Sequence, residues 1–263
     1  MTLFSILKTN KNKLIVSTII LLIVYLILNF QMRIFQVIYT SKVWAHRVNS
    51  IEKFAEARNV FSGIECDLVY DSTLNRFDVN HPPAKSINLT LFELLRSNSN
   101  YNDCGVWLDF KNLNEINYLK SANKLDSIIR ILNIDPKKII VESSNPEFLE
   151  EFNANGFKTS YYLPQNFSQL NGEALLNQLK FINALLDTNK IDFVSSDVKD
   201  YYFIKNNFPK SEMLIWILNN PPKIKDFYTL KRSLIHFKRN FVILNNPKVK
   251  VVLFTFKSKL GDR

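Results

Sequence analysis

The sequence predicts an α/β chain, a (β/α)8 barrel of the TIM type behind a single N-terminal transmembrane helix. Three observations predict it. One uncharged apolar run lies near the N-terminus. Beyond residue 41, eight short apolar strands are separated by polar loops and helix-like stretches. Glycine is scarce, with five copies, and three of these fall between a helix-like stretch and the next strand. The expected organisation is a basic tail over 1–13, a transmembrane anchor over 14–30, a linker over 31–40 and the barrel over 41–263.

The anchor is "LIVSTIILLIVYLILNF", Leu14 to Phe30, a run of 17 residues without a charge. As a helix it spans roughly 25 Å, the short end of what a bilayer core requires. A cleaved signal peptide shares the basic start and apolar centre. The following "QMRIFQVIYTSK" offers no small-x-small cleavage site, so a retained anchor is the favoured reading. Lys8, Lys11 and Lys13 precede the run, and Arg33 and Lys42 follow it. This bias places the N-terminus in the cytoplasm and the barrel on the extracytoplasmic side, as a single-pass membrane protein.

The strands read in order as "KVWAH", "GIECDLVY", "GVWLDF", "KIIVES", "FKTSYYL", "DFVSSD", "EMLIWIL" and "VKVVLFTF". Most are too continuously apolar for a half-solvated sheet, as befits strands covered on both faces. Between them "SIEKFAEARNVF" and "PEFLEEFNAN" place apolar residues at helical spacing. Gly63, Gly105 and Gly156 are expected as left-handed C-caps ahead of their strands. A doubly wound open sheet is the competing architecture.

Composition removes several functions. Apolar residues make up 46% and charged residues 22%, which excludes disorder. The chain contains no GxxxxGK[ST] loop and no GxGxxG, so nucleotide binding of those kinds is excluded. A net charge of +10 and a pI near 9.4 favour anionic surroundings. The basic residues are scattered, and the domain is expected outside the membrane, so nucleic acid is not the expected partner. Cys66 and Cys104 lack metal-finger spacing. They are able to pair in an oxidising compartment, but Cys66 lies inside a strand and reads first as a small buried hydrophobe.

Barrel sites form at the C-terminal ends of the strands, and that rule selects a compact set. The first strand ends in His46-Arg47. The second carries Glu65 and Asp67 on one face, about 7 Å apart by strand rise. "NRFDVNHPP" reads as a strand returning from a hairpin and delivers His81. The next strand ends in "LDFK", with Asp109 and Lys111 on one face. Three converging carboxylates are costly to desolvate unless a cation sits among them, and all-oxygen ligation suits Mg2+ or Ca2+ better than zinc. Two imidazoles near such an ion can serve as acid and base. Arg47 and Lys111 add positive charge for an anionic substrate, with the arginine able to grip phosphate in a fork, although Lys111 also suits a simple balance of Asp109. Such a set describes phosphoryl transfer better than acyl transfer. Glu142 and Trp216, at later strand ends, are further substrate-contact candidates, the tryptophan as an apolar wall. His236 and its basic neighbours Lys231, Arg232, Lys238 and Arg239 read by default as a solvated helix face, with contact to anionic lipid the alternative.

The order His-Arg, Glu-x-Asp, His-containing loop, carboxylate-x-Lys resembles the glycerophosphodiester phosphodiesterases within the phospholipase-C-like barrels. Trp44 to Ser50, Glu65-Cys66-Asp67, His81-Pro82-Pro83 and Leu108 to Lys111 are similar to the menorin family in particular, as is Val141 to Pro164. The resemblance implies a metal-dependent barrel with Glu65, Asp67 and Asp109 as cation ligands, His46 and His81 as general acid and base, and Arg47 on phosphate. It implies a glycerophosphodiester or lipid-headgroup substrate. Val48 stands where the diesterases usually have glycine, and Asp109 where their third ligand is typically glutamate. The alternative function is a non-catalytic menorin-like module that binds an anionic ligand or surface partner. A glycosidase is the weaker option, since it requires two carboxylates and leaves Arg47 and Lys111 without a role.

Overall fold

The computed structural model describes residues 3–97 and 103–258, with side chains from residue 13 onward. Met1 and Thr2 of the expected tail, the side chains of Lys8 and Lys11, and residues 259–263 of the expected barrel lie outside the described residues. The chain forms two compact units. One comprises Met1–Ile38 with Asn219–Ile243, and the other Tyr39–Leu218 with Leu244–Arg263.

The larger unit holds a nine-stranded sheet. Its strands are β1 (Val43–His46), β2 (Gly63–Asp71), β3 (Arg76–Val79), β4 (Gly105–Phe110), β5 (Ile139–Ser143), β6 (Lys158–Tyr162), β7 (Phe193–Asp197), β8 (Glu212–Ile217) and β9 (Val249–Thr255). All are parallel to their neighbours except β3, which returns antiparallel on β2. β1 pairs with β9 and with β2, so eight parallel strands close into a barrel. That closure decides against the open doubly wound sheet, whose outermost strands would have only one neighbour.

Helices occupy the crossovers in sequence order, as α2 (Ile51–Arg58), α3 (Leu91–Arg96), α4 (Tyr118–Ile131), α5 (Glu150–Ala154), α6 (Gly172–Asp187), α7 (Tyr201–Asn207) and α8 (Phe227–Asn245). Ser50 caps α2 by accepting from the Lys53 amide at 3.2 Å, so the helix begins where the hydroxyl satisfies an orphan donor. Thr90 and Glu93 form a full capping box on α3.

Strand alternation sends Trp44, Trp107, Ile140, Phe193, Leu214, Val251 and Leu253 into one buried apolar cluster. Two glycines make room for it. A Cβ at Gly63 would lie 2.1 Å from the Trp44 indole, and one at Gly105 would lie 2.3 Å from it. This corrects the expected left-handed C-caps: Gly63 and Gly105 are the first residues of β2 and β4, and closeness to Trp44 is what requires them. Gly156, with φ of +86°, does adopt the left-handed conformation after α5. Cys66 and Cys104 are both buried free thiols, so no pairing occurs.

In the smaller unit, α1 (Leu3–Ile38) continues eight residues beyond Phe30, so 31–38 is helical where a linker was expected. Its stretch Lys13–Ile38, 26 residues containing an 18-residue window of mean hydropathy 2.4, is long and apolar enough to cross a membrane. Leu28, Gln31 and Phe35 are buried, whereas Leu14 to Leu26 carry a row of exposed aliphatic side chains. The burial comes from α8. Gln31 Nε2 donates to Ser233 Oγ at 2.9 Å, and the Phe35 and Phe237 rings stack with centroids 5.2 Å apart.

Candidate active site

The "AHRVNS" stretch leaves β1 by a sharp turn. Arg47 takes a left-handed φ of 54°, an uncommon conformation for a bulky residue other than glycine and one that clusters at functional sites. The turn aims the Arg47 amide at the Glu65 carboxylate, donating to Oε2 at 2.7 Å. Val48 follows fully buried, its amide donating to the Glu65 carbonyl at 2.8 Å. Asn49 Nδ2 donates to Asp67 Oδ2 at 2.7 Å while its Oδ1 accepts from the Asp67 amide at 3.0 Å. One short segment thus orients both Glu65 and Asp67 of β2. Asn49 was missed as a site residue, although it sits inside the "VNS" motif.

Parallel register does the rest. Asp67 pairs with Asp109, and Asp109 with Glu142, so three acidic side chains stand side by side across β2, β4 and β5. Ligand atoms of Glu65, Asp67 and Asp109 all lie within 4.8 Å of one another. Lys111 reaches across them, with Nζ 2.8 Å from Asp67 Oδ1 and in direct contact with Asp109 Oδ2. The hairpin of β2 and β3 delivers His81, and the Asn80 amide holds its base by donating to the Asp67 carbonyl at 3.1 Å. His81 Nε2 stands 3.9 Å from Asp67 Oδ1, and His46 Nε2 stands 3.7 Å from Glu65 Oε2. Arg47 Nη2 lies 2.7 Å from His81 Nε2, and because the guanidinium is always protonated, the imidazole nitrogen is the acceptor.

Electrostatics follow from this crowding. Burial, then Asp67 and Asp109, push the Glu65 carboxyl well above its ordinary range. Burial and Asp109 do the same to Glu142. Asp109 is raised by burial, against the pull of Lys111. Burial opposes the Lys111 charge, yet Asp109 and Asp67 hold its pKa above the ordinary value. His46 is pushed down to about 4 by burial and by the Arg47 charge, so its imidazole is neutral at physiological pH.

Lys111 and the half-exposed Arg47, whose Nε stands 3.9 Å from Asp67 Oδ2, cannot balance four carboxylates in a low-dielectric site. Glu65 Oε1 is buried and has no hydrogen-bond partner. An all-oxygen cluster with an unpaired buried carboxylate oxygen fits a hard divalent cation held by Glu65, Asp67 and Asp109.

All nine expected residues, His46, Arg47, Glu65, Asp67, His81, Asp109, Lys111, Glu142 and Trp216, line one pocket of about 450 Å3. Glu142, beside Asp109 in the register, is almost fully buried and accepts from Ser160 Oγ at 3.3 Å. Trp216 stacks on Tyr162 with centroids 5.0 Å apart and planes 10° from parallel. Tyr162 was missed, since "YY" at a strand end carries no signal separating a pocket ring from a core ring. Asp197 joins the lining, whereas Ser143 and Ser196 do not.

No family model matches the chain, and no curated protein matches it in sequence. Among solved structures, a glycerophosphodiester phosphodiesterase from Parabacteroides distasonis is similar with a TM-score of 0.55 at 15% identity, over 82% of this chain and 92% of that one. An Oleispira antarctica phosphodiesterase in complex with the product sn-glycerol-3-phosphate is similar with a TM-score of 0.52 at 11% identity, over 83% of this chain and 94% of that one. The fold is that of the glycerophosphodiester phosphodiesterases. Val48 in place of a glycine costs this chain nothing in backbone strain, because the left-handed residue of the turn is Arg47.

Proposed function

We propose that the chain is a membrane-anchored, metal-dependent phosphodiesterase that hydrolyses a glycerophosphodiester or phospholipid-headgroup substrate. The observation that carries the reading is the convergence of two imidazoles, an arginine and a lysine on a carboxylate cluster whose ligand atoms lie within 4.8 Å. Glu65, Asp67 and Asp109 would hold the cation, Mg2+ or Ca2+. When bound, it supplies charge neutralisation at a phosphoryl oxygen.

The remaining roles belong to side chains. Arg47 and Lys111 bind the phosphate oxygens. His46, neutral at physiological pH, takes the proton from the attacking water as its oxygen bonds to phosphorus. The bond from phosphorus to the leaving alcohol breaks as His81 gives that oxygen a proton, which its Nε2 takes up from solvent once Arg47 leaves it for the phosphate, yielding a phosphomonoester and an alcohol. Glu142 supports Asp109, and Trp216 with Tyr162 offers an apolar wall to the leaving group. The "WAHRVNS", "HPP" and "LDFK" stretches support a menorin-like branch of the fold. The charge bias around α1 supports a cytoplasmic N-terminus, with the barrel on the other side of the membrane.

The test is turnover of a panel of glycerophosphodiesters and lysophospholipids by the full chain in detergent. Activity is expected to vanish with EDTA and return with Mg2+, Ca2+ or Mn2+. Turnover that survives chelation sinks the metal-dependent reading. Stabilisation by a ligand without product would instead support a non-catalytic binding module.

A further inference from the structure

The smaller unit carries a surface that the barrel chemistry does not use. Between Asn219 and Ile243 the chain has six lysines and arginines, Lys223, Lys225, Lys231, Arg232, Lys238 and Arg239, against one acidic residue, Asp226. Asp226 is committed to the start of α8, where it accepts from the Thr229 amide at 2.7 Å. On the same segment Phe227, Tyr228, Leu234, Ile235 and Phe241 are exposed by 81%, 66%, 46%, 57% and 49%. Along the exposed side of α8, Phe227, Lys231, Leu234, Lys238 and Phe241 succeed one another at spacings of four, three, four and three, a single stripe in which apolar side chains and ammonium groups alternate. Arg232 lies over the Tyr228 ring, 5.7 Å from its centroid.

A helix that exposes five large apolar side chains among cations is poorly suited to water and well suited to a headgroup layer. There the rings enter the acyl boundary while lysine stems extend their charges to phosphate. Its neighbour within the unit fixes the depth. Asn29 Oδ1, one residue before the end of the uncharged run, accepts from the Ile224 amide at 3.2 Å. Gln31 and Phe35, which share a buried face of α1 with Leu28, are covered by Ser233 and Phe237. The basic, aromatic segment therefore begins level with the point where the apolar run of α1 ends.

We infer that residues 223–241 form an interfacial docking element for an anionic phospholipid surface, lying on the membrane face from which α1 emerges. The inference rests on α1 being a membrane anchor. The exposed apolar side chains supply burial and the six cations supply attraction to lipid phosphate. The element then acts as a second membrane contact beside the span.

The test uses the full chain in vesicles of phosphatidylcholine alone, or with about 30% phosphatidylserine. An environment-sensitive fluorophore is placed on Ile235→Cys and, separately, on Ile20→Cys. The native thiols stay silent because both are buried, with Cys104 pushed up to about 11 by burial. The Ile235 probe is expected to emit in the blue and to be quenched by headgroup-spin-labelled lipid. Its quenching should be stronger with phosphatidylserine and lost in the triple variant Lys231→Glu, Arg232→Glu, Lys238→Glu. The Ile20 probe should be quenched by a deep acyl-chain label in both vesicles. A quenched Ile20 probe with a water-like Ile235 probe overturns the docking element and leaves the anchor standing. An Ile235 probe that is blue-shifted but unquenched, and whose shift fades as protein is diluted in lipid, also overturns it, in favour of a second copy of the chain. An unquenched Ile20 probe overturns the anchor and the inference with it.

Discussion

The two halves of the barrel open onto the same pocket and carry different chemistry. β1, β2, β4 and the β2–β3 hairpin contribute His46, Arg47, Glu65, Asp67, His81, Asp109 and Lys111, a set of charges separated by short hydrogen bonds. The other half is richer in apolar groups, with Tyr162 on β6, Trp216 and Leu218 at the end of β8 and Leu253 on β9, beside Asp197, Lys199 and Asp200 at and after the end of β7. Glu142 on β5 is the seam, acidic like the first half but buried like the second. Under the proposed function the difference is a division of labour, in which the charged half would act on a phosphoryl centre and the more apolar half would receive whatever is attached to it.

That division breaks or sharpens under substitution. The largest effect is expected at the imidazoles, where His46→Ala or His81→Ala should lower kcat by about 10²–10⁴-fold with the fold intact by circular dichroism. Equal activity in both variants would dissolve the charged half as a catalytic unit. Next comes Asn49→Ala, which removes the two hydrogen bonds that Asn49 makes with Asp67; metal affinity should fall by about 10–100-fold in calorimetry, as for other groups that orient a ligand. Gly63→Ala should leave site chemistry alone and destabilise folding by about 1–3 kcal/mol in urea titration, because its Cβ would collide with Trp44. The smallest effect is expected in the apolar half. Trp216→Ala forfeits the stack on Tyr162, worth about 0.5–1.5 kcal/mol beyond its buried area, and should raise KM about tenfold or less while sparing kcat. A collapse of kcat in that variant would mean the wall takes part in the chemistry and the halves are not separable.

The charged half was legible because its residues announce themselves locally. His-Arg, Glu-x-Asp, His-Pro-Pro and Asp-x-Lys each stand at the end of a short apolar run, and strand alternation alone puts their members on one face. The apolar half was legible only at Trp216, since a ring at a strand end looks the same whether it packs in a core or lines a pocket. Asn49 was hidden for a different reason: its two hydrogen bonds cross from the turn after β1 to β2, a pairing that no local pattern encodes. Gly63 and Gly105 were legible as special positions but for the wrong cause, because the group that requires them, the Trp44 indole, stands on another strand.

By itself the sequence determined what is periodic or contiguous: eight strands and their alternation, the hairpin that carries His81, the uncharged run of α1 and the order of the ionisable residues. Tertiary structure alone decided what depends on closure of the sheet. It set β1 against β9, brought Asp109 into register between Asp67 and Glu142, laid Lys111 across the carboxylates and packed α8 along the C-terminal third of α1. The physical reason is range. Dihedral preference and side-chain alternation act over a few residues and are written in the chain, whereas the energies of buried charge and ring packing depend on neighbours that meet only after the barrel has closed.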